Sequence, residues 1–159
     1  MPIPDEVAAL IGKPVTAPQI REIERGAIRR FAEAVDDPNP LYHDAEYARN
    51  SRYREMVAPV GFDGWPIKGP VEMDVLYGVM GMLAKAGYPV ILDGGIEYSP
   101  FLRLRAGDIL CGYTTIAGIT EKSTTYGKKM LLTTLVTEYS NQNGEKALGV
   151  RRTVVSREL

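Results

Sequence analysis

Apolar positions recur at helical spacing in the first half of the chain and crowd into four β-rich stretches in the second. Asp5 to Ile11 reads as a short helix stopped at Gly12. Ile20 to Glu24 alternates in the manner of a short strand. From Ala27 to Val35, the residues Ile28, Phe31, Ala32 and Val35 share one helical face, and Asp36-Asp37-Pro38 ends that helix. Asp44 is placed to N-cap a further short helix through Tyr47 and Ala48. The strongest helical pattern runs from Val71 to Ala86, where Val75, Leu76, Val79, Met80 and Leu83 form a wide apolar stripe. Gly69-Pro70 opens it, and Gly87 followed by Pro89 closes it. Gly78 and Gly81 each weaken that helix by about 1 kcal/mol relative to Ala. Their spacing predicts a helix approached closely by another backbone and wrapped by a sheet.

The four later stretches are Val90 to Tyr98, Ile109 to Thr120, Lys129 to Ser140 and Lys146 to Ser156. All are rich in β-branched, aromatic and large aliphatic residues. Arg105-Ala106-Gly107-Asp108 reads as the turn before the second, and Asn143-Gly144 as a hairpin turn between the last two. Nine of the eleven prolines precede Val71, so the front is turn-rich and the back is free for long strands. One early strand, a long helix and an antiparallel meander predict an α+β fold with a curved antiparallel sheet wrapped around a long central helix, the hot-dog arrangement. A second copy covers the rest of such a helix, which predicts a homodimer or a higher homo-oligomer.

Composition narrows the picture. A chain of 159 residues, 45% apolar and 25% charged, is expected to form a single domain, 1–159, with a sizeable core. A net charge of −1 gives no global field for nucleic acid. No apolar run is long enough to span a membrane, and Met1 to Val7 lacks the pattern of a signal peptide. The lone Cys111 excludes an intrachain disulfide, suits a cytoplasmic setting and is expected to be buried.

The chemistry concentrates around the only histidine, in Asp36-Asp37-Pro38-Asn39-Pro40-Leu41-Tyr42-His43. Pro38 and Pro40 fix two φ angles and restrict the residues before them, and Asn39 favours a side-chain-closed turn. A segment this stiff holds Asp37 and His43 in one mutual geometry, suited to acid–base work on a water molecule. Tyr42 and Tyr47 fit packing or the lining of a pocket, and Met73, Met80 and Met82 fit the core. Arg103, Arg105, Lys128, Lys129, Arg151 and Arg152 are candidates for phosphate contacts. No cluster has metal-ligand spacing, and no metal is expected.

The run from Phe31 to Phe62, with Asp-Asp-Pro-Asn-Pro-Leu-Tyr-His and Met-Val-Ala-Pro-Val-Gly-Phe, resembles MaoC-like dehydratase domains of the N-terminal, fungal fatty-acid-synthase-like type. Glu97 to Gly107 and Thr137 to Glu145 extend the resemblance over nearly the whole chain. It implies the hot-dog fold, acyl thioesters of coenzyme A or a carrier protein as substrate with no separate cofactor, and reversible hydration of a 2-enoyl group. It carries the catalytic Asp and His over to Asp37 and His43. Backbone amides near Val60, Gly61 or Gly69 become candidate donors to the thioester oxygen, and Tyr42 a candidate acyl contact. Two residues, Leu41 and Tyr42, separate Pro40 from His43 where the hydratase motif has one, and Pro59 stands where active members often carry histidine. The readings open at this stage are an (R)-specific enoyl-CoA hydratase, a non-catalytic acyl-binding subunit paired with an active MaoC-like subunit, and a hot-dog thioesterase.

Overall fold

The computed structural model describes residues 3–68 and 72–159, with the backbone alone for 72–76. The strands are β1 (Gln19–Glu22), β2 (Trp65–Lys68), β3 (Val90–Pro100), β4 (Ile109–Ser123), β5 (Lys129–Ser140) and β6 (Lys146–Arg157). They form one sheet in the order β2-β1-β4-β5-β6-β3, and every neighbouring pair is antiparallel. Register shifts between Asp93 and Gly95 in β3, and between Ile116 and Gly118 in β4, mark bulges. An extra residue on one strand bends it and raises its twist, which helps the long strands curl. The hot-dog expectation is met: a curled antiparallel sheet with a long helix against its inner face.

The helices are α1 (Asp5–Ala8), α2 (Arg25–Ala34), α3 (Pro40–His43), α4 (Ala45–Asn50) and α5 (Glu72–Lys85). Period-two alternation decides which strand residues face inwards. Leu131, Thr133, Leu135, Thr137 and Tyr139 of β5 are all buried. Two core clusters share this face. In one, Val79, Met80 and Leu83 of α5 meet Val7, Tyr88, Ile116, Leu131, Leu135 and Val154. In the other, α2, α3, α4 and the segment Met56–Ala58 pack against Leu104, Leu110, Tyr139, Leu148 and Val150. Between them lies a polar seam: Gln19 Nε2 donates to Thr114 Oγ1 at 2.7 Å, and Arg21 pairs with Asp63 at 3.0 Å.

Several expectations are corrected. Gly78 and Gly81 are exposed, and a Cβ built at either meets nothing within 4 Å. The chain's own sheet packs on the other side of α5, so the glycine face is uncovered here. Cys111 is exposed, because alternation in β4 turns its neighbours Leu110 and Gly112 inwards. The strand β2 was not anticipated; Pro66 sits in it because β2 is an edge, where a missing N–H is tolerated. The two edges differ sharply. β2 has four residues, whereas β3 has eleven and is exposed along nearly its whole length.

Candidate active site

The segment that follows α2 is built by local hydrogen bonding. Asp36 adopts a left-handed φ of 55°, which reverses the chain, and the Asp37 amide returns to the Ala32 carbonyl at 2.9 Å. The Asp37 carboxylate accepts from the Asn39 amide at 3.1 Å. Asn39 is the N-cap of α3, its side-chain oxygen accepting from the Leu41 amide at 3.1 Å, and Pro40 opens the helix where no N–H is needed. One helical turn later, His43 Nε2 lies 2.7 Å from the main-chain oxygen of Asp37. A carbonyl only accepts, so Nε2 carries the proton in this contact. Asp44 then caps α4, accepting from the Glu46 and Tyr47 amides at 2.8 and 2.9 Å.

The structure therefore brings Asp37 and His43 together, both half-buried, with the ring meeting the backbone of the aspartate. Tyr42 points the other way, into the core, with 7% of its surface exposed, while Tyr47 is exposed. Met80 is in the core and Met82 packs against it; the Met73 side chain lies outside the described residues.

Val60 and Gly61 belong to a separate feature, an apolar cleft. It is lined by the segment Ala58–Phe62 on one side and by Tyr98, Pro100, Leu102, Arg103, Leu104 and Leu148 on the other. Two bonds zip its walls together: the Ala58 amide donates to the Leu104 carbonyl, and the Ala106 amide to Met56, both at 2.9 Å. Gly61 has φ 100°, a conformation that favours glycine, and Phe31 of α2 lies 3.5 Å from where a Cβ would stand. Phe31 also packs against Phe62, with ring centres 5.5 Å apart and planes tilted by 46°. Among the described residues nothing accepts from the Val60 and Gly61 amides, so both remain available as donors. Gly69, the third candidate donor, lies outside the described residues.

A basic and aromatic group borders this cleft. Arg103 is one of its lining residues, and the guanidinia of Arg52 and Arg103 both face the Tyr53 ring. The Arg52 hydrogen bond, with Arg103 adding to it, holds the Tyr53 hydroxyl below the ordinary phenol range. Arg25 holds the Glu55 carboxyl below its ordinary range through a hydrogen bond and its charge. The sequence analysis assigned no role to Arg52 or Tyr53; the signal available was the Arg-Tyr-Arg run at 52–54. Among the described residues no group of carboxylates, histidine and cysteine is arranged to hold a metal ion.

Residues 9–149 match the family model for the FAS1-like dehydratase domain region. The chain belongs to this family, within the MaoC-like dehydratases. A UPF0336 protein of Thermobifida fusca is 30% identical over 135 residues, covering 85% of this chain and 83% of that protein. A probable enoyl-CoA hydratase alpha subunit of Thermomonospora curvata is 31% identical over 127 residues, or 74% of this chain but only 40% of that subunit. Solved structures share the MaoC-like fold at lower identity. The ChsH1–ChsH2 complex of Mycobacterium tuberculosis matches with TM-score 0.71 at 19% identity, covering 96% of this chain and 94% of the matched one. The HadBC (3R)-hydroxyacyl-ACP dehydratase complex of the same organism gives 0.63 at 20%, covering 92% and 96%. A MaoC-like dehydratase gives 0.70 at 21%, covering 96% of this chain and 43% of that one.

Proposed function

We propose that this FAS1-like dehydratase-family chain is one hot-dog half of an (R)-specific 2-enoyl-thioester hydratase, or of the reverse 3-hydroxyacyl-thioester dehydratase. In this reading it binds the acyl thioester, and a second MaoC-like domain supplies the proton-transferring pair. Hydration needs a base to deprotonate water as it adds to the β-carbon and an acid to return a proton to the α-carbon. It also needs a donor for the thioester oxygen, where enolate charge develops.

The observation that carries the reading is the 2.7 Å bond from His43 Nε2 to the Asp37 main-chain oxygen. Through it the imidazole closes its own turn, and the Asp37 carboxylate is meanwhile engaged by the Asn39 amide. Neither side chain is among those lining the cleft. The cleft offers what a binding lobe needs: apolar walls and two available amides at Val60 and Gly61. The partner has a natural seat on β3, an eleven-residue edge where Ile91, Leu92 and Ile96 keep 38% to 49% of their surface exposed. Long apolar edges are otherwise blunted or covered in stable monomers. Pairing recurs in the relatives' own descriptions: one is a named subunit, two are complexes, and one is a chain of which this one fills 43%.

A second reading has its own support. Asp37 and His43 share one half-buried turn and are residue types that acid–base chemistry on a water employs. In that case the chain hydrates enoyl thioesters by itself. Loss of crotonyl-CoA absorbance separates the two. The binding reading expects no turnover by the purified chain and turnover on mixing with a MaoC-like subunit. Turnover by the chain alone would reject it in favour of the second reading.

A further inference from the structure

Two arginines at the edge of the cleft share one tyrosine, and no carboxylate among the described residues answers them. Arg103 lines the cleft, and its guanidinium carbon lies 5.6 Å from the centre of the Tyr53 ring. Arg52 lies over the same ring at 4.7 Å and donates to the Tyr53 hydroxyl at 2.5 Å. Among the described residues neither arginine enters an ion pair. The carboxylate next in sequence, Glu55, is turned away to Arg25 at 2.5 Å. Tyr53 is half-buried against the core, which gives the two exposed guanidinia a fixed platform. Like charges gathered in this way repel one another unless an anion lies between them.

The position narrows the kind of anion. Arg103 lines the apolar cleft and also an adjoining polar groove formed with Arg105, Asp108, Asn141, Gln142 and Glu145. It therefore stands where an apolar surface gives way to a polar one. The groove's carboxylates are already engaged: Asp108 accepts from the Arg105 amide and from Gln142, and Glu145 accepts from Asn141. They leave the arginine pair uncompensated. An acyl thioester has the matching polarity, an apolar acyl chain at one end and a phosphate at the other.

We propose that Arg52, Tyr53 and Arg103 form a phosphate-binding site for the phosphorylated arm of the acyl thioester. The guanidinium fork matches phosphate oxygens, and the Tyr53 hydroxyl holds one fork in place. The assignment deepens the acyl-thioester reading above and rests on it.

The test is calorimetric titration of the full chain and its R52Q/R103Q variant with three crotonyl thioesters: those of coenzyme A, 4′-phosphopantetheine and N-acetylcysteamine. The variant is expected to lose about tenfold or more in affinity for the phosphate-bearing ligands, on the scale of lost charge-assisted bonds. It should bind the N-acetylcysteamine thioester as the parent does. A loss shared by the first two assigns the pantetheine phosphate, common to coenzyme A and carrier protein. A loss for the coenzyme A thioester alone assigns the nucleotide phosphates. Unchanged affinity of the variant for both, or no binding of either by the parent chain, overturns the proposal. If free coenzyme A binds as tightly as its crotonyl thioester and the variant loses both, the phosphate site stands and the acyl reading falls. Circular dichroism checks that the variant is folded; should it not be, R52Q alone is expected to lose several-fold affinity, and unchanged affinity overturns the proposal as well.

Discussion

The turn at residues 36–44 and the cleft beside Gly61 share one core cluster yet treat their polar groups in opposite ways. In the turn, polar groups answer one another within nine residues: Asp37 takes the Asn39 amide, Asn39 takes the Leu41 amide, and His43 donates to the Asp37 carbonyl. In the cleft the walls are largely apolar, and among the described residues the Val60 and Gly61 amides have no acceptor and the bordering arginines no carboxylate. A segment that satisfies itself is built for rigidity. A segment that leaves donors and cations unanswered beside an apolar wall has groups to offer a ligand. The contrast is the reason we propose binding in the cleft, although the motif that attracts attention in the sequence lies in the turn.

Substitutions can break or sharpen that contrast. The largest effect is expected from Phe62→Ala, which removes a buried ring packed against Phe31. It should cost about 3 kcal/mol, at the low end for core Phe→Ala, and weaken ligand binding; denaturant melts and titration check both. Gly61→Ala comes next. Its Cβ meets Phe31 at an ordinary contact distance, but a side chain at φ 100° is strained. A loss of about 1–2 kcal/mol is expected, with the cleft's affinity reduced. In the turn, Asn39→Ala removes the cap of α3 and should cost about 1 kcal/mol in a melt while leaving ligand affinity unchanged.

The smallest effect is expected from Glu55→Gln, whose carboxylate pairs with Arg25 on the side away from the arginine site. Its folded pKa is depressed, so the ion pair stabilises the protein above the ordinary carboxylate range. That contribution is lost as pH falls through the folded value. A slightly lower melting temperature is expected at neutral pH, with the difference closing in acid.

Much of this architecture was legible in the chain. The four later stretches became β3 to β6 with ends shifted by no more than three residues, because alternation and β-branching agree along them. The cap at Asp44 and the hairpin at Asn143-Gly144 followed from side-chain chemistry that acts within a few residues. What failed depended on distant neighbours. The strand β2 is four residues long, contains a proline and exists only by pairing with β1. Gly78 and Gly81 signalled a close approach that the chain's own sheet does not make. In the site, the Asp37–His43 proximity was legible, since both lie on one stiff turn. That the ring meets the main-chain oxygen was not, because peptide and carboxylate oxygens of one residue look alike in sequence. Arg52 and Arg103 are fifty-one positions apart and converge only through Tyr53.

The central claim is that His43 holds a turn and another domain supplies the proton chemistry. The most direct measurement is crotonyl-CoA hydration by the chain carrying His43→Ala, assembled with an active MaoC-like subunit. The account predicts a rate within about twofold of the unsubstituted assembly, since no proton-transfer step is lost. It also predicts a lower melting temperature, from a hydrogen bond worth about 1 kcal/mol. A fall of roughly 10²–10⁴-fold in rate with the fold intact, the scale of a lost general acid or base, would contradict it.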